Sequence, residues 1–381
     1  MRYRDLGKTG LKVSEIGLGA EWLERHNEAE VREVIRCCED YGINLLDCWM
    51  SESNVRSNIG KALEGHRDRW IIQGHFGSTW QNGQYVRTRE MDKVREAFAD
   101  LLTRLRTDYI DLGMIHFVDE EVEFHQVMAG EFVEYVREQK EKGVIRHIGM
   151  STHNPRVAKL AALSGVVEMI LFSINPAFDL LPASEDLNDY FAESYEEGLR
   201  GIDPERAELY KICEQRGVGI TVMKGYGGGR LFSEKTSPFG VALTPVQCIH
   251  YALTRPGVAS ILTGCDTPDH VKAAAAYETA TEEMKDYATV LAGAPCHAYS
   301  GQCTYCGHCA PCPSGIDIAM VNKLYDLAVM QTEVPPAVRA HYEGLGANAG
   351  DCIACHGCET RCPFKVPVAE RMEKAKALFE G

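Results

Sequence analysis

From residue 15 to residue 263, short apolar runs alternate eight times with longer amphipathic stretches, and this periodicity constrains the fold more than any other feature. The runs 15–18, 43–47, 70–73, 109–115, 144–150, 169–174, 217–223 and 259–262 have strand length and are rich in Ile, Leu, Val and Met. Stretches between them, such as 28–41, 54–64, 89–104, 126–142 and 204–216, carry helical spacing. Asn154-Pro155, Asp203-Pro204 and Thr244-Pro245 each set a capping side chain before a proline, which is tolerated at the first helical position because that N–H has no partner within the helix. Strands joined by crossover helices run parallel, and eight such units favour a closed (β/α)8 barrel over an open sheet. Such barrels carry their chemistry at the C-terminal ends of the strands. Two strand-like pieces around Lys8-Thr9-Gly10 suit a hairpin that plugs the opposite end.

The 381 residues divide into a large domain, 1–293, and a small Gly/Pro/Cys-rich one, 294–381. A formal charge of −15 opposes binding to nucleic acid, whose phosphates call for Lys/Arg-rich faces. Nine Asp/Glu fall between positions 182 and 208 against Arg200 and Arg206, a pattern that reads as a solvated loop and helix rather than a docking surface for a basic partner. No window approaches ~20 uninterrupted apolar residues, so the expectation is a soluble, cytoplasmic chain with no membrane contact.

Eight of the fifteen cysteines lie in two runs, Cys303, Cys306, Cys309, Cys312 with Pro313, and Cys352, Cys355, Cys358, Cys362 with Pro363. Three thiolates at two-residue gaps can hold three irons of one cubane, and the Cys-Pro cysteine of each run ligates the other cluster in two-cluster ferredoxins. The expected sets are therefore Cys303, Cys306, Cys309 and Cys362 on one [4Fe–4S] centre, and Cys352, Cys355, Cys358 and Cys312 on the other. The last gap in the first run is one residue shorter than in the usual bacterial run. Four-cysteine zinc is the competing reading, but it requires neither a third C-x-x-C step nor a Cys-Pro. The remaining cysteines are scattered and read mostly as small buried hydrophobes, with Cys296 the one spare ligand.

Several motifs, taken in order, carry a family likeness. RDLGKTGLKVSEIGLG at the start, Asp47 within GINLLDCW, then YIDLGMIHF, IGMSTHNP and MKGYGGGRL resemble the aldo-keto reductases over about residues 1–290. The tail resembles the dicluster ferredoxin extension of one branch of that family. The resemblance implies a barrel that binds a nicotinamide cofactor and passes hydride to a carbonyl, with Asp, Tyr, Lys and His at the ends of early strands. Asp47 and His116 match this pattern. Glu52 stands where the family's tyrosine is expected and His75 where its lysine is, and no tyrosine occurs between Asp47 and Trp70.

The cofactor positions that the resemblance implies are altered as well. The family's Ser-Asn pair becomes Ser151-Thr152, its glutamine falls at Leu171, and the residue that stacks on nicotinamide falls at Met223. In the adenosine-phosphate loop the family's Lys and Ser become Gly264 and Cys265, followed by Asp266, and its arginine aligns with His270. A carboxylate there would repel a 2′-phosphate, so NADPH is disfavoured, while NADH and no nicotinamide at all both stay open. Gly227 and Gly228, in a glycine run that ends at Arg230, offer backbone N–H groups to a pyrophosphate or carboxylate, although a flexible loop is an equal reading.

Asp47, Glu52, His75 and His116 form the candidate catalytic group, since two carboxylates beside two imidazoles can move protons near neutral pH. His75, His116 and a carboxylate could also make a facial metal set, but no H-x-E or H-x-H spacing supports it. Three functions compete. In the first, an oxidoreductase acts on a small organic substrate in the barrel while the two clusters relay electrons singly, fed by a ferredoxin or another redox partner. The others are an NAD(H)-dependent carbonyl reductase with structural clusters, and an electron-transfer or redox-sensing subunit without chemistry in its barrel.

Overall fold

The computed structural model describes residues 1–180, 202–294, 303, 309–329, 333–334, 336–362 and 365–381. Cys296, Cys306, Pro363 and most of the acidic stretch 182–208 lie outside the described residues. The described chain divides into two compact units: Met1–Asn175, Ile212–Gly228 and Cys248–Lys285 in one, and Pro176–Lys211, Gly229–Gln247 and Asp286–Gly381 in the other.

The first unit opens with an antiparallel hairpin, β1 (Tyr3–Asp5) and β2 (Lys12–Ser14). A closed parallel barrel follows, made of β3 (Ile16–Gly19), β4 (Leu45–Cys48), β5 (Ile71–Phe76), β8 (Ile110–Ile115), β9 (Ile145–Thr152), β10 (Met169–Ser173), β11 (Gly219–Met223) and β12 (Val258–Thr263). A second hairpin, β6 (Ser78–Gln81) and β7 (Gln84–Arg87), interrupts this order directly after β5. All eight strands expected from the apolar runs are present. The expected helix over 126–142 is instead two, Glu121–Ala129 and Glu131–Glu141, because Gly130 sits between them in an extended conformation. The proline signals hold: helices begin at Pro155, Pro204 and Pro245, and the Asn154 side chain accepts from Arg156 N–H at the first of these.

The barrel interior is layered. Leu45, Leu112, Met114, Met169, Leu171, Ala259 and Leu262 form one buried cluster, and all come from β4, β8, β10 and β12, the even-numbered strands of the barrel. Alternate strands fill alternate layers because successive side chains point to opposite faces and neighbouring strands are staggered. The intervening strands give way with glycine: a methyl group at Gly149 would lie 2.3 Å from the Met114 sulfur, and one at Gly17 would lie 2.8 Å from Leu262. Leu6 and Val13 from the first hairpin complete the cluster, so this hairpin is the plug at the N-terminal end. Gly7 makes the close approach possible, with φ of +54° and space for no Cβ, since one would meet Gly217 O at 2.3 Å.

Above the apolar layer the interior becomes polar. Thr221 on β11 donates to Gln73 Oε1 on β5 (2.9 Å), a bond between barrel strands three and seven, and both residues are fully buried. His75, two residues beyond Gln73, shares its face and comes closer to the C-terminal mouth.

In the second unit, the described part of the tail is helical, with Ile318–Val329, Pro336–Glu343 and Val368–Phe379 as its longer elements. Arg371 ties the last helix to the first by donating to Asn322 Oδ1 and Asp326 Oδ1 (2.5 and 2.6 Å). Tyr342 stacks on Phe379 (4.1 Å) and donates to Glu380, whose carboxylate in turn accepts from Gly350 N–H. These contacts fix the turn Ala349–Asp351, immediately before Cys352. No helix among the described residues is long and apolar enough to cross a membrane.

Candidate functional site

At the C-terminal mouth, the ends of β4, β5 and β8 lie side by side, and each delivers one member of a buried hydrogen-bonded chain. Asp47, next to the last residue of β4, pairs in register with Gln73, whose Nε2 donates to Asp47 Oδ1 (2.8 Å). His75 Nε2 donates to the same oxygen (2.9 Å), and His75 Nδ1 lies 2.8 Å from Nδ1 of His116, which directly follows β8. Asp47, His75 and His116 are 3%, 2% and 6% exposed, so these bonds form largely without competition from water. The chain continues one step further: His116 Nε2 meets the Tyr85 hydroxyl at 2.7 Å.

Surrounding groups hold the two imidazoles rigidly. Trp49 stacks on His116 at 5.8 Å with a 14° interplanar angle and meets Tyr85 edge-on at 5.1 Å. Arg89 donates to His116 O (2.7 Å) and Arg87 to Phe117 O (2.7 Å), and Glu123 pairs with both guanidinium groups. Burial, followed by the fields of His75, Arg89, Arg87 and His153, holds the His116 pKa well below its ordinary 6.5, so the ring stays neutral at physiological pH. Burial also raises the Tyr85 phenol despite the opposing effect of Arg87 and Arg89. At the same mouth the Glu21 carboxyl is raised by burial and by Asp47, while Lys224 works against that rise.

Three of the four expected catalytic residues thus come together. Glu52 is engaged elsewhere: it is the N-cap of helix Ser53–Ala62, and its carboxylate accepts from Val55 N–H (2.7 Å). The expected cofactor positions are dispersed around the mouth. Ser151 Oγ accepts from Phe117 N–H (2.8 Å) and Thr152 donates to Asp119 (2.9 Å), so both brace the 117–119 segment. Leu171 belongs to the apolar layer, and Met223 is half-buried at the end of β11. Gly227 and Gly228 have φ of +57° and +66°, and Gly264 faces the Trp22 ring, which a methyl group there would approach to 2.9 Å. Asp266 accepts from His270 (2.6 Å) and lies 3.5 Å from His26 Nε2. Burial would raise its carboxyl, but these bonds outweigh burial and lower it.

Tyr85 is the residue that sequence reasoning passed over. The signal was available: Asn82-Gly83 between two short strand-like pieces is a strong two-residue hairpin motif. Both residues adopt positive φ (52° and 78°), as a type I′ turn requires, and this turn carries Tyr85 back over His116.

In the tail, Cys312 from the first run and Cys352, Cys355 and Cys358 from the second line a single cavity. These four residues make up the exchanged set expected from the Cys-Pro pattern and have the donor chemistry of a [4Fe–4S] cluster, although among the described residues no three Cys, His, Asp or Glu side chains converge as a metal site. Arg361 joins the two runs by donating to the carbonyls of Cys309 (2.6 Å) and Pro311 (2.8 Å). Cys362 Sγ accepts from Val366 N–H (3.4 Å). The other expected set includes Cys306, which lies outside the described residues. Cys37, Cys38, Cys48, Cys213, Cys248 and Cys265 are all buried, and burial pushes the Cys48 and Cys248 thiols up to about 12, as expected of inert packing residues.

A closed parallel barrel with a buried carboxylate–imidazole chain at its mouth, followed by a tail with two ferredoxin-like cysteine runs, is the architecture of a barrel oxidoreductase with an iron–sulfur domain. The aldo/keto reductase family model matches residues 15–244 and a 4Fe-4S dicluster domain model matches residues 302–367, so the chain belongs to the aldo/keto reductase family and carries a dicluster domain. An uncharacterized oxidoreductase of Bacillus subtilis (strain 168), YqkF, is 28% identical over 302 residues, 75% of this chain and 95% of its own. The aldo-keto reductase YhdN of the same organism is 30% identical over 190 residues, 47% of this chain and 54% of its own. Among solved structures, the aldo-keto reductase AKR11C1 from Bacillus halodurans (holo form) shares the fold, with a TM-score of 0.58 at 24% identity over 75% of this chain and 94% of its own.

Proposed function

We propose that the barrel binds a small organic substrate at the mouth formed by β4, β5 and β8, and that two [4Fe–4S] clusters in a tail domain, 294–381, relay electrons singly to or from it. The observation that carries this reading is the buried Asp47–His75–His116 chain, built from a carboxylate and two imidazoles and opening at the reactive end of the barrel. Asp47 orients His75, His75 orients His116, and the neutral His116 exchanges a proton with whatever oxygen is held beside it. Glu52 serves this group by fixing the start of the following helix. Cys312, Cys352, Cys355 and Cys358 would hold one cluster, and Cys303, Cys306, Cys309 and Cys362 the other. When bound, the clusters supply single-electron transfer, with a ferredoxin or another low-potential partner as the external source.

A second reading, NAD(H)-dependent carbonyl reduction with Ser151, Thr152, Met223, Gly227, Gly228 and Gly264 around the dinucleotide, draws on family membership and on Asp266. That carboxylate, kept charged by His270 and His26, would repel a 2′-phosphate and so select NADH over NADPH.

One experiment separates the two. Anaerobically reconstituted protein and a Cys355→Ser variant are supplied with reduced methyl viologen or with NADH and offered small aldehydes and ketones. Electron relay predicts viologen-driven turnover that disappears in Cys355→Ser. NADH-driven turnover that survives undiminished in Cys355→Ser would establish the second reading instead.

A further inference from the structure

We propose that Tyr85, carried over the barrel mouth by the β6–β7 hairpin, is the catalytic phenol of this site and the terminus of a proton chain running Asp47–His75–His116–Tyr85. The proposal rests on the reading above, that a small organic substrate binds at this mouth, and it specifies a substrate oxygen, carbonyl in one direction and alcohol in the other.

Hydrogen-bond bookkeeping fixes the direction of the chain. A carboxylate only accepts, so His75 must present Nε2–H to Asp47 Oδ1. Neutral His75 then has a lone pair on Nδ1, and the Nδ1–Nδ1 contact of 2.8 Å requires His116 to donate. His116 is left with a lone pair on Nε2, which accepts from the Tyr85 hydroxyl at 2.7 Å. One added proton on His75 reverses every bond beyond Asp47: His75 Nδ1–H donates to His116, His116 Nε2–H donates to the phenol oxygen, and the phenol hydrogen turns to the substrate. His116 links these two arrangements without holding charge in either, in keeping with its fully buried, depressed pKa.

The hairpin is built to hold this phenol in place. Ser78 donates to Trp49 O (2.5 Å), Thr88 N–H donates to Gly77 O (3.0 Å), and Arg87 anchors the end of β7 to Phe117 O and Glu123. Tyr85 is half-buried, packs in a T-shaped pair with Trp49 and shares a hydrogen bond with the buried His116.

In the reducing direction the carbonyl carbon takes a hydride equivalent, two electrons and one proton, from NADH or from the reduced clusters together with a solvent proton. The C=O π bond breaks towards oxygen, and that oxygen takes the Tyr85 proton. The His116 Nε2 proton moves to the phenolate, the His75 Nδ1 proton moves to His116, and the chain returns to its first arrangement. One proton from solvent recharges His75. Alcohol oxidation runs the same transfers backwards.

The test uses the anaerobic holoprotein with 4-nitrobenzaldehyde as the probe carbonyl and 4-nitrobenzyl alcohol for the reverse direction, each with viologen and with nicotinamide as the redox couple. Tyr85→Phe is expected to lower kcat by about 10²- to 10⁴-fold, the range of general acid–base catalysis, with KM changed only a few-fold. 3-Fluorotyrosine at position 85, a more acidic phenol, is expected to move the alkaline limb of the kcat–pH profile to lower pH, a shift that a packing role for the ring would not produce. The charged and titratable groups facing this phenol are His116, Arg87 and Arg89, so the limb is read in each variant with those three intact. A Tyr85→Phe protein with kcat within threefold of the parent, or a fluorotyrosine protein with an unmoved limb, overturns the assignment and leaves the substrate reading standing. Absence of turnover in the parent with every pair counts against the substrate reading itself. The chain is then decided by 15N NMR of labelled histidine: Tyr85→Phe must shift the His116 Nε2 resonance and Asp47→Asn must shift the His75 pair, and unchanged spectra overturn the chain.

Discussion

Replacement of Asp47 separates its structural from its chemical role. The carboxylate is buried and its Oδ1 accepts from two donors, Gln73 Nε2 and His75 Nε2. Asp47→Ala orphans both, and a buried unsatisfied donor costs about 1–3 kcal/mol, so the expected loss is roughly 2–6 kcal/mol. Both donors bond the same oxygen, so an asparagine carbonyl in that place can keep both bonds, and Asp47→Asn should lose much less stability than Asp47→Ala while removing the negative charge beside His75. At roughly 2–4 °C per kcal/mol for a unit of this size, Asp47→Ala should lower the melting temperature of the barrel by roughly 5–20 °C. The asparagine NH2 also cannot accept, so where it faces His75 it selects the other tautomer and holds the relay in its reversed arrangement. Activity should therefore fall by about 10²–10⁴-fold in Asp47→Asn, far more than its modest stability loss explains. Anaerobic calorimetry of the holoprotein beside steady-state rates reads both quantities. An Asp47→Ala protein that melts within a degree of the parent would refute the bonding scheme, and an Asp47→Asn protein with parental kcat would refute the relay.

Acidification provides a second prediction. Burial, with Lys285 as the next cause, lowers His250 from its ordinary 6.5 to about 4, and His116 is lowered in the same direction, so the unfolded chain binds protons that the folded chain refuses. Stability is then complete above pH ~6.5 and declines as pH falls towards 4, by about 3 kcal/mol at that pH for His250 alone at ~1.4 kcal/mol per pKa unit; urea midpoints across this window should flatten by about one proton in His250→Phe. Arg361→Ala removes both bonds to the Cys309 and Pro311 carbonyls, and the expected result is lower iron and sulfide content after reconstitution with an unchanged barrel melting temperature. Gly83→Val forces a β-branched residue to φ of +78°; the hairpin should loosen and kcat fall through Tyr85 while the barrel melts as before, since a Cβ at this position meets nothing within 4 Å.

The strands were legible because each is an apolar run bounded by polar helical spacing, and the barrel followed from counting them. The dicluster domain was legible because cysteine ligand spacing is local, and the 4Fe-4S dicluster match over residues 302–367 covers both runs; Cys312, Cys352, Cys355 and Cys358 line one cavity. Glu52 shows a limit of sequence reading: an acidic residue after a strand end can face the site or cap the next helix, and here its carboxylate accepts from Val55 N–H at the start of helix Ser53–Ala62. Gln73 and Thr221 gave no sign of their bond, which joins residues 148 positions apart on barrel strands three and seven and exists only once the barrel closes.

Tyr85 lies between these cases and shows which kind of information a motif search loses. Glu52 stands where the family's tyrosine is expected, and a position-by-position comparison shows only that the tyrosine is absent there. A reacting oxygen is held by geometry instead, and any element that reaches the mouth can supply it. The Asn82-Gly83 turn fixes the hairpin, Arg87 ties it to Phe117 just after β8, and the pairing of Trp80 with Tyr85 sets which side chain reaches His116. A one-residue slip in that register would turn Tyr85 away and present Gln84 or Val86 in its place. The turn sequence is therefore as much a part of the candidate site as the histidine it covers.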